Sequence, residues 1–265
     1  MRNIDSTLAL LLLPIVCYGV LAFLAGAALA LPAVPNQKQP AAKSTVIVTV
    51  AQKKSANEQA AYFMQQAQHF KDQLEYAKEA DALSEAIELT PADSRLYEMR
   101  ADAYDNSLMF DQALADLRTA VNLLPTKSGY LNRLAHMYFK MGRLELAVKT
   151  YDKAIELDPS DAAPHRERGR ILQKLARDKE AILDYEKFAA LNGNDRHGEV
   201  VQLLGSLYLK IGNTEKALAA FNREIKMVPD LPGGYHGRAQ AYLRMGRKDL
   251  ADKDEQTAAE IEKSY

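Results

Sequence analysis

Residues 128–161 read SGYLNRLAHMYFKMGRLELAVKTYDKAIELDPSD, and their pattern of small, aromatic and proline residues recurs along the chain. Three sets of residues repeat at intervals of 34: Pro91, Pro125 and Pro159; Ala101, Ala135 and Gly169; and Ala113, Ala147 and Ala181. An internal period of this length indicates a repeat architecture, and it is stronger evidence for the fold than any single residue. It divides the chain into six units: 60–93, 94–127, 128–161, 162–195, 198–231 and 232–265.

Each unit predicts two helices joined by a turn. The first helix has a small residue at its eighth position and a large one three positions later, such as Ala135 and Tyr138. This spacing places both on one helix face, where a neighbouring helix can approach closely. Gly142 follows the first helix and Pro159 follows the second, as expected for a left-handed cap and for a residue that ends a helix.

The unit resembles the tetratricopeptide repeat. The resemblance covers 60–265 and is carried in unit 128–161 by Leu131, Leu134, Ala135, Tyr138, Ala147, Tyr151, Ala154 and Pro159. It implies an all-α fold, a right-handed α-solenoid of six helix-turn-helix units. Arg100, Arg168 and Arg238 depart from the pattern, because the family has an aliphatic residue there. The final helix, Lys248–Lys263, is polar enough to form the exposed end that such an array needs.

The same resemblance implies a ligand, an extended peptide or a helix that lies in a concave groove of first helices. The residues it assigns to the groove, or beside it, are Asn132, Arg133, His136, Phe139, Lys140, Arg166, Arg170, Gln173 and Lys174. Arg166, Arg170 and Lys174 are four residues apart and therefore share a helix face. Arginine can hold a carboxylate through two hydrogen bonds, which predicts a protein partner with an acidic or carboxylate-terminated segment. The alternative is a solvated helix face.

The preceding unit carries mostly acidic residues at the same groove positions, among them Glu98, Asp102 and Asp105. The groove is therefore predicted to be acidic near its start and basic in the middle. The residues that chaperone-binding members of the family use to clamp a terminal carboxylate are not matched at Asn132, His136, Arg166 and Arg170.

The amino-terminal segment differs from the rest of the chain. Residues 8–31 contain no charged side chain, and these 24 residues exceed the roughly 20 that a membrane-spanning helix needs. Residues 1–31 are therefore predicted to be a transmembrane helix or signal anchor. Ala28-Leu29-Ala30 could instead end a cleaved signal peptide.

The charges around the predicted helix do not settle which side of the membrane the repeat domain occupies. Lys38, Lys43, Lys53 and Lys54 follow the segment, and the positive-inside rule would keep the repeat domain in the cytoplasm. Long domains, however, translocate largely regardless of charge. We predict a single-pass protein of a bacterial-type inner membrane with an exported, periplasmic repeat domain, and a cytoplasmic domain stays as the alternative.

Residues 32–59 are predicted to be a proline- and lysine-containing linker. Within it, residues 44–50 read STVIVTV, and every position after the serine is β-branched, which is typical of a strand. The sequence provides no second strand to pair with it. The short strand is expected either to lie extended on the helical domain or to be donated to a partner's sheet.

Composition narrows the classes of function. The chain has 34 basic and 35 acidic residues, which does not suggest nucleic-acid binding. It contains no phosphate loop, HExxH or GxSxG motif, its five histidines lack metal-ligand spacing, and Cys17 is its only cysteine. No catalytic residue, cofactor, metal or small-molecule substrate is therefore expected.

These observations predict a non-catalytic scaffold tethered to a membrane that docks protein partners, with a role in assembling an envelope complex. Two alternatives stay open. One is a soluble exported binding protein, produced by cleavage after Ala30. The other is a regulatory subunit of a membrane enzyme, with Ala22 and Gly26 forming the small-xxx-small spacing that permits close helix packing.

Overall fold

The computed structural model describes residues 42–192 and 198–264, and all regular secondary structure within these ranges is helical. The described residues form twelve helices: α1 (Ala42–Asp72), α2 (Tyr76–Leu89), α3 (Ser94–Asn106), α4 (Phe110–Leu123), α5 (Ser128–Lys140), α6 (Leu144–Leu157), α7 (Ala163–Lys174), α8 (Asp178–Asn192), α9 (Glu199–Lys210), α10 (Thr214–Met227), α11 (Pro232–Arg244) and α12 (Lys248–Lys263).

The helices pack mainly against their neighbours in the chain, as in a solenoid. Each odd-numbered helix and the following even-numbered one form a helix-turn-helix pair. The predicted all-α solenoid is thereby confirmed. Its predicted last helix, Lys248–Lys263, has the bounds of α12.

The predicted membrane segment, residues 8–31, lies outside the described residues. In the part of the chain that is described, no helix combines the length and the apolar character needed to cross a membrane.

The predicted strand at 44–50 is wrong, because these residues belong to α1, which begins at Ala42 inside the predicted linker. A β-branched residue lowers helix stability by less than about 1 kcal/mol, whereas a strand without a partner has no ladder hydrogen bonds at all. Helix growth from a formed turn is also easier than a new nucleus. Helical propagation from the packed part of α1 therefore outweighs the local strand preference.

Small residues form the contact surfaces between helices, as predicted. Ala67, Ala101, Ala135 and Ala239 are almost completely buried. Glycine takes this position where the opposing ring is closest: a Cβ atom on Gly205 would lie 2.6 Å from Cε1 of Phe221. The small side chains let helices approach until aromatic rings fill the space between them.

The first helix of each pair ends in a repeated hydrogen-bonded cap. In α5 the amide of Arg143 donates to the carbonyl of Tyr138 over 2.8 Å, and Gly142 between them has φ +72°. This is a Schellman arrangement, which requires a left-handed residue. Gly212 and Gly246 supply that residue in later units, but three other units use side-chain-bearing residues there: Leu74 (φ 60°), Leu108 (φ 60°) and Ala176 (φ 56°).

The three arginines that depart from the repeat pattern each form a two-pronged ion pair with an aspartate 16 residues later. The pairs are Arg100 with Asp116, Arg168 with Asp184, and Arg238 with Asp254, at nitrogen–oxygen distances of 2.6–2.8 Å. Each guanidinium group also donates to a polar side chain 16 residues earlier, namely Ser84, Asp152 and Asn222. One arginine thus connects its own helix to the second helices of two consecutive units.

Candidate partner-binding groove

First helices of three consecutive units surround a cavity of about 450 Å³. Its walls come from α3, α5 and α7, and Leu117 and Tyr151 of the second helices contribute apolar surface. Four of the predicted groove residues line it: Asn132, Arg133, His136 and Arg170. The structure therefore brings these four together, and the repeat register explains why, since first-helix positions one unit apart recur on the same surface.

The remaining predicted groove residues lie along the same helices without lining this cavity. They are Phe139, Lys140, Arg166, Gln173 and Lys174. Phe139 is half-buried, with its ring centre 6.3 Å from that of His136 and 5.8 Å from Nζ of Lys174. An exposed ammonium group and an aromatic face thus meet where α5 and α7 run side by side.

The acidic and basic groups of the first two walls neutralise each other. Arg133 of α5 donates to Glu98 of α3 over 2.9 Å and also contacts Asp102. Lys140 lies 2.6 Å from a carboxylate oxygen of Asp105. Ion pairs therefore connect the predicted acidic start of the groove to its predicted basic middle. Arg133 and Lys140 are engaged in these pairs and are not open to an incoming carboxylate.

The third wall keeps an excess of positive charge. Arg166 and Arg170 both pair with Glu167, at 3.0 Å and 3.1 Å, and both are nearly half exposed. Lys174 is exposed, and no described carboxylate lies within 4.0 Å of its Nζ. This face of α7 thus carries three bases and one carboxylate, which makes it the part of the groove best suited to an anionic group.

Two buried polar groups shape the floor of the cavity. Asn132 donates through Nδ2 to Asp161 over 3.0 Å, while its buried Oδ1 accepts no hydrogen bond from described residues. Burial raises the pKa of Asp102 above its usual value, and the nearby Arg133 guanidinium opposes part of that rise. Because Oδ1 of Asn132 is closed off from solvent, it is not an accessible acceptor for a bound segment.

Gln173 takes part in packing between helices, since its Oε1 accepts a hydrogen bond of 2.7 Å from the hydroxyl of Tyr185 in α8. Sequence reasoning missed Tyr151 and Glu167 as groove components. Tyr151 belongs to a second helix, and Glu167 occupies a position that the repeat pattern does not assign to the groove. Within residues 42–192 and 198–264, no cluster of three or more histidine, cysteine, aspartate or glutamate side chains is arranged to hold a metal ion.

The fold and groove define a class, the helical-repeat solenoids whose first helices line a surface for another polypeptide. Two parts of the chain match family models described as TPR repeat, residues 135–175, and tetratricopeptide repeat, residues 198–230. Together with the solenoid, these matches support a tetratricopeptide repeat protein.

Similar proteins include the protein FlbA of Caulobacter vibrioides, which is 30% identical over 183 residues, covering 68% of this chain and 30% of FlbA. The Hsp70-Hsp90 organizing protein of Triticum aestivum is 29% identical over 127 residues, or 48% of this chain and 21% of that protein. The chain thus spans less than a third of the length of these relatives.

Among solved structures, the chain resembles YrrB, described as a TPR protein with an unusual peptide-binding site. The TM-score is 0.61 with 21% identity, over 69% of this chain and 93% of YrrB. At this level of sequence identity, the similarity to YrrB shows a shared fold and nothing further.

Proposed function

We propose that the chain is a non-catalytic docking scaffold that holds an acidic segment of a protein partner in the groove between α3, α5 and α7. The observation that carries this proposal is the basic face of α7, where Arg166 and Arg170 pair with Glu167 and the exposed Lys174 has no described carboxylate within 4.0 Å. A partner carboxylate that approaches this face gains two or three charge-assisted contacts.

The surroundings of that face favour a peptide over a small anion. The cavity of about 450 Å³ is lined in part by Leu117 and Tyr151, which give it an apolar wall. His136 and Phe139 provide an adjacent aromatic surface. An acidic residue followed or preceded by an apolar one would use both parts of the groove. The names of the Hsp70-Hsp90 organizing relative and of YrrB as a peptide-binding TPR protein agree with this class of ligand.

Charge reversal on α7 tests the groove. We expect Arg166→Glu together with Arg170→Glu to weaken capture of the partner by about tenfold or more, because each lost charged contact is worth about 1.5–3 kcal/mol. The matched control is Arg118→Glu with Lys149→Glu, two exposed bases on second helices. The measurement is recovery of partners from a cell extract by the full chain, with helicity checked by circular dichroism. Equal recovery by the groove variant, with normal helicity, would exclude the basic face as the site.

We further propose that residues 8–31 tether the scaffold to a bacterial-type inner membrane, with the repeat domain exported and engaged in assembling an envelope complex. The support is the uncharged length of that segment. The alternatives are release as a soluble binding protein by cleavage after Ala30, and a regulatory role in which Ala22 and Gly26 pack against a membrane enzyme.

Protease treatment of spheroplasts, followed by mass and amino-terminal sequencing of the recovered protein, distinguishes these alternatives. An intact terminus with an externally digested repeat domain is expected for the exported scaffold. A new terminus near Leu31 would indicate the soluble protein, and protection until lysis would place the domain in the cytoplasm. Exchange of residues 8–31 for an unrelated membrane helix should preserve function unless the intramembrane contact is required.

A further inference from the structure

Two leucines occupy unfavourable positions for which the fold provides no compensating contact. Leu74 and Leu108 are the left-handed residues of the caps that end α1 and α3, with φ of 60° at both. This conformation is disfavoured for a side-chain-bearing residue, and other units place glycine there. The two side chains are also 69% and 74% exposed, more than any other large hydrophobic residue of the described chain.

These leucines occupy the same position in the turns of the first two units. We call Leu74, Leu108 and Met109 the first patch; Met109 is 39% exposed. The turn segments that carry it, 71–78 and 105–112, contain four carboxylates and two lysines. Since Glu75 pairs with Lys78 and Asp105 with Lys140, the charges that remain around the leucines are those of Asp72, Asp111 and Lys71, a small net negative charge.

The corresponding turns of the last two units carry a second apolar patch with the opposite charge. Ile211 and Met245, 41% and 44% exposed, line one shallow depression there and are called the second patch. The equivalent turn segments, 209–216 and 243–250, contain five basic residues and two carboxylates. Since Lys210 pairs with Asp178 and Lys216 with Glu186, three bases remain against the two carboxylates, a small net positive charge. Among these bases, Arg247 and Lys248 are exposed beside Met245.

The turns of the two middle units lack such a patch. Their residues at the same position as Ile211 and Met245 are Met141 and Leu175, both half-buried, and their left-handed residues are Gly142 and Ala176. Next to the left-handed position of the turn, exposed large apolar side chains thus occur in the units at the two ends of the array, whereas the middle turns expose one only further along, at Leu146. One end is acidic and the other is basic.

We propose that the two patches are a contact between copies of this chain, in which the first patch of one copy packs against the second patch of another. Burial of Leu74 and Leu108 against Ile211 and Met245 removes apolar surface from water on both sides. The carboxylates around the first patch meet Arg247 and Lys248 around the second. Because the contact joins two different surfaces, it closes a ring or extends a row of copies, according to the rotation between neighbours.

Glycine substitution separates this contact from folding. In Leu74→Gly with Leu108→Gly, the fold keeps its caps and loses the left-handed strain, so the melting temperature stays level or rises. Association of the full chain in detergent, measured by analytical ultracentrifugation, should weaken by about tenfold or more, since each leucine leaves the contact. Ala176→Gly is the matched control, because it relieves the same backbone strain without removing an exposed leucine.

Charge exchange tests the pairing of the patches and excludes association through residues 8–31. Arg247→Glu with Lys248→Glu should abolish association of that variant with itself, and so should Asp72→Lys with Asp111→Lys. A mixture of the two variants should associate again. The unchanged Asp72 and Asp111 of one variant then face the unchanged Arg247 and Lys248 of the other. Association that survives both the glycine and the charge variants, or a wild-type chain that is monomeric at high concentration, would overturn the proposal.

Discussion

At the scale of single residues, Arg100 shows how a polar side chain can occupy a core position of a helical repeat. Its guanidinium group is 19% exposed and holds both oxygens of Asp116, and it also donates to Ser84 over 2.9 Å. The rings of Tyr97 and Tyr104 cover it at 5.8 Å and 5.7 Å. Each nitrogen of the guanidinium group donates a hydrogen bond and both carboxylate oxygens accept one, which is the condition for tolerating a buried ion pair.

The chain itself suggests the apolar replacement for this pair. In the fifth unit, Leu204 and Ala220 occupy the positions of Arg100 and Asp116. We expect Asp116→Ala alone to lower the free energy of unfolding by about 2–3 kcal/mol, because it leaves a largely buried guanidinium without its carboxylate. The double variant Arg100→Leu with Asp116→Ala should lose less than about 1 kcal/mol, since no charge is then left unpaired. Urea unfolding of the wild type, the two single variants Asp116→Ala and Arg100→Leu, and the double variant gives the coupling energy between Arg100 and Asp116. Additive losses of stability would contradict this account.

The arginine–aspartate pairs were available in the sequence, but the single-unit pattern concealed them. Arg100, Arg168 and Arg238 occur in alternate units, and the aspartates follow at a constant separation of 16 residues. When each unit is compared with the repeat pattern separately, its arginine is only a departure from the aliphatic residue expected there. The groove ion pairs are harder to predict, because Arg133 reaches Glu98 and Asp102 in the preceding unit, and only the packing of α5 on α3 determines which carboxylates lie within reach.

At the scale of elements, the repeat pattern predicted the helix pairs well because small residues, caps and prolines all recur with one period. Outside the repeats, the strand predicted at residues 44–50 from local β-branched composition was wrong, because α1 continues through them. Local propensity is a weak guide where a packed helix is already formed next to the segment. Periodicity over many units is a stronger one, because every helix of the core contributes to it.

The attachment of α12 to α11 should depend on pH through His236. This imidazole contacts Glu255 at 2.8 Å and Glu262 at 3.2 Å, and hydrogen bonding to Glu262, then to Glu255, raises the pKa of His236 above its ordinary value. A raised folded-state pKa adds stability that is fully present below the unfolded value of about 6.5 and is lost as pH rises through the folded value.

We therefore expect His236→Gln to lower the melting temperature at about pH 6 and to have little effect well above the folded-state pKa of His236. The effect should be modest, because all three side chains are more than a third exposed. Thermal unfolding followed by circular dichroism across pH 5.5–9 measures it, roughly the range in which histidine titrates. His69→Gln is the control, since His69 is exposed and contacts Gln73 rather than a carboxylate. An equal difference at every pH would show that His236 acts only through packing.

At the scale of the whole molecule, a solenoid transmits a local defect mainly to adjacent units. Phe221 provides a site to test this, because its ring is 2% exposed and is held between Gly205 of α9 and Gly237 of α11. A Cβ atom at position 237 would lie 2.1 Å from Cε1 of that ring. Alanine normally stabilises a helix by about 1 kcal/mol relative to glycine, but overpacking here should reverse the sign and cost about 1–3 kcal/mol.

Hydrogen exchange of Gly237→Ala should then report how far the damage spreads. We expect faster amide exchange in α9–α11, which contain Phe221 and the two glycines against its ring, and in α12, which packs on α11. Protection should stay close to wild type in α3–α7, which line the groove. The groove and the last two units would thus be separable in stability although they belong to one array. Gly129→Ala is the control, because a Cβ atom there meets nothing within 4 Å and protection should stay level or increase. Equal loss of protection in all twelve described helices would mean that the array unfolds as one cooperative unit, and binding at the groove would then respond to changes at the distant end.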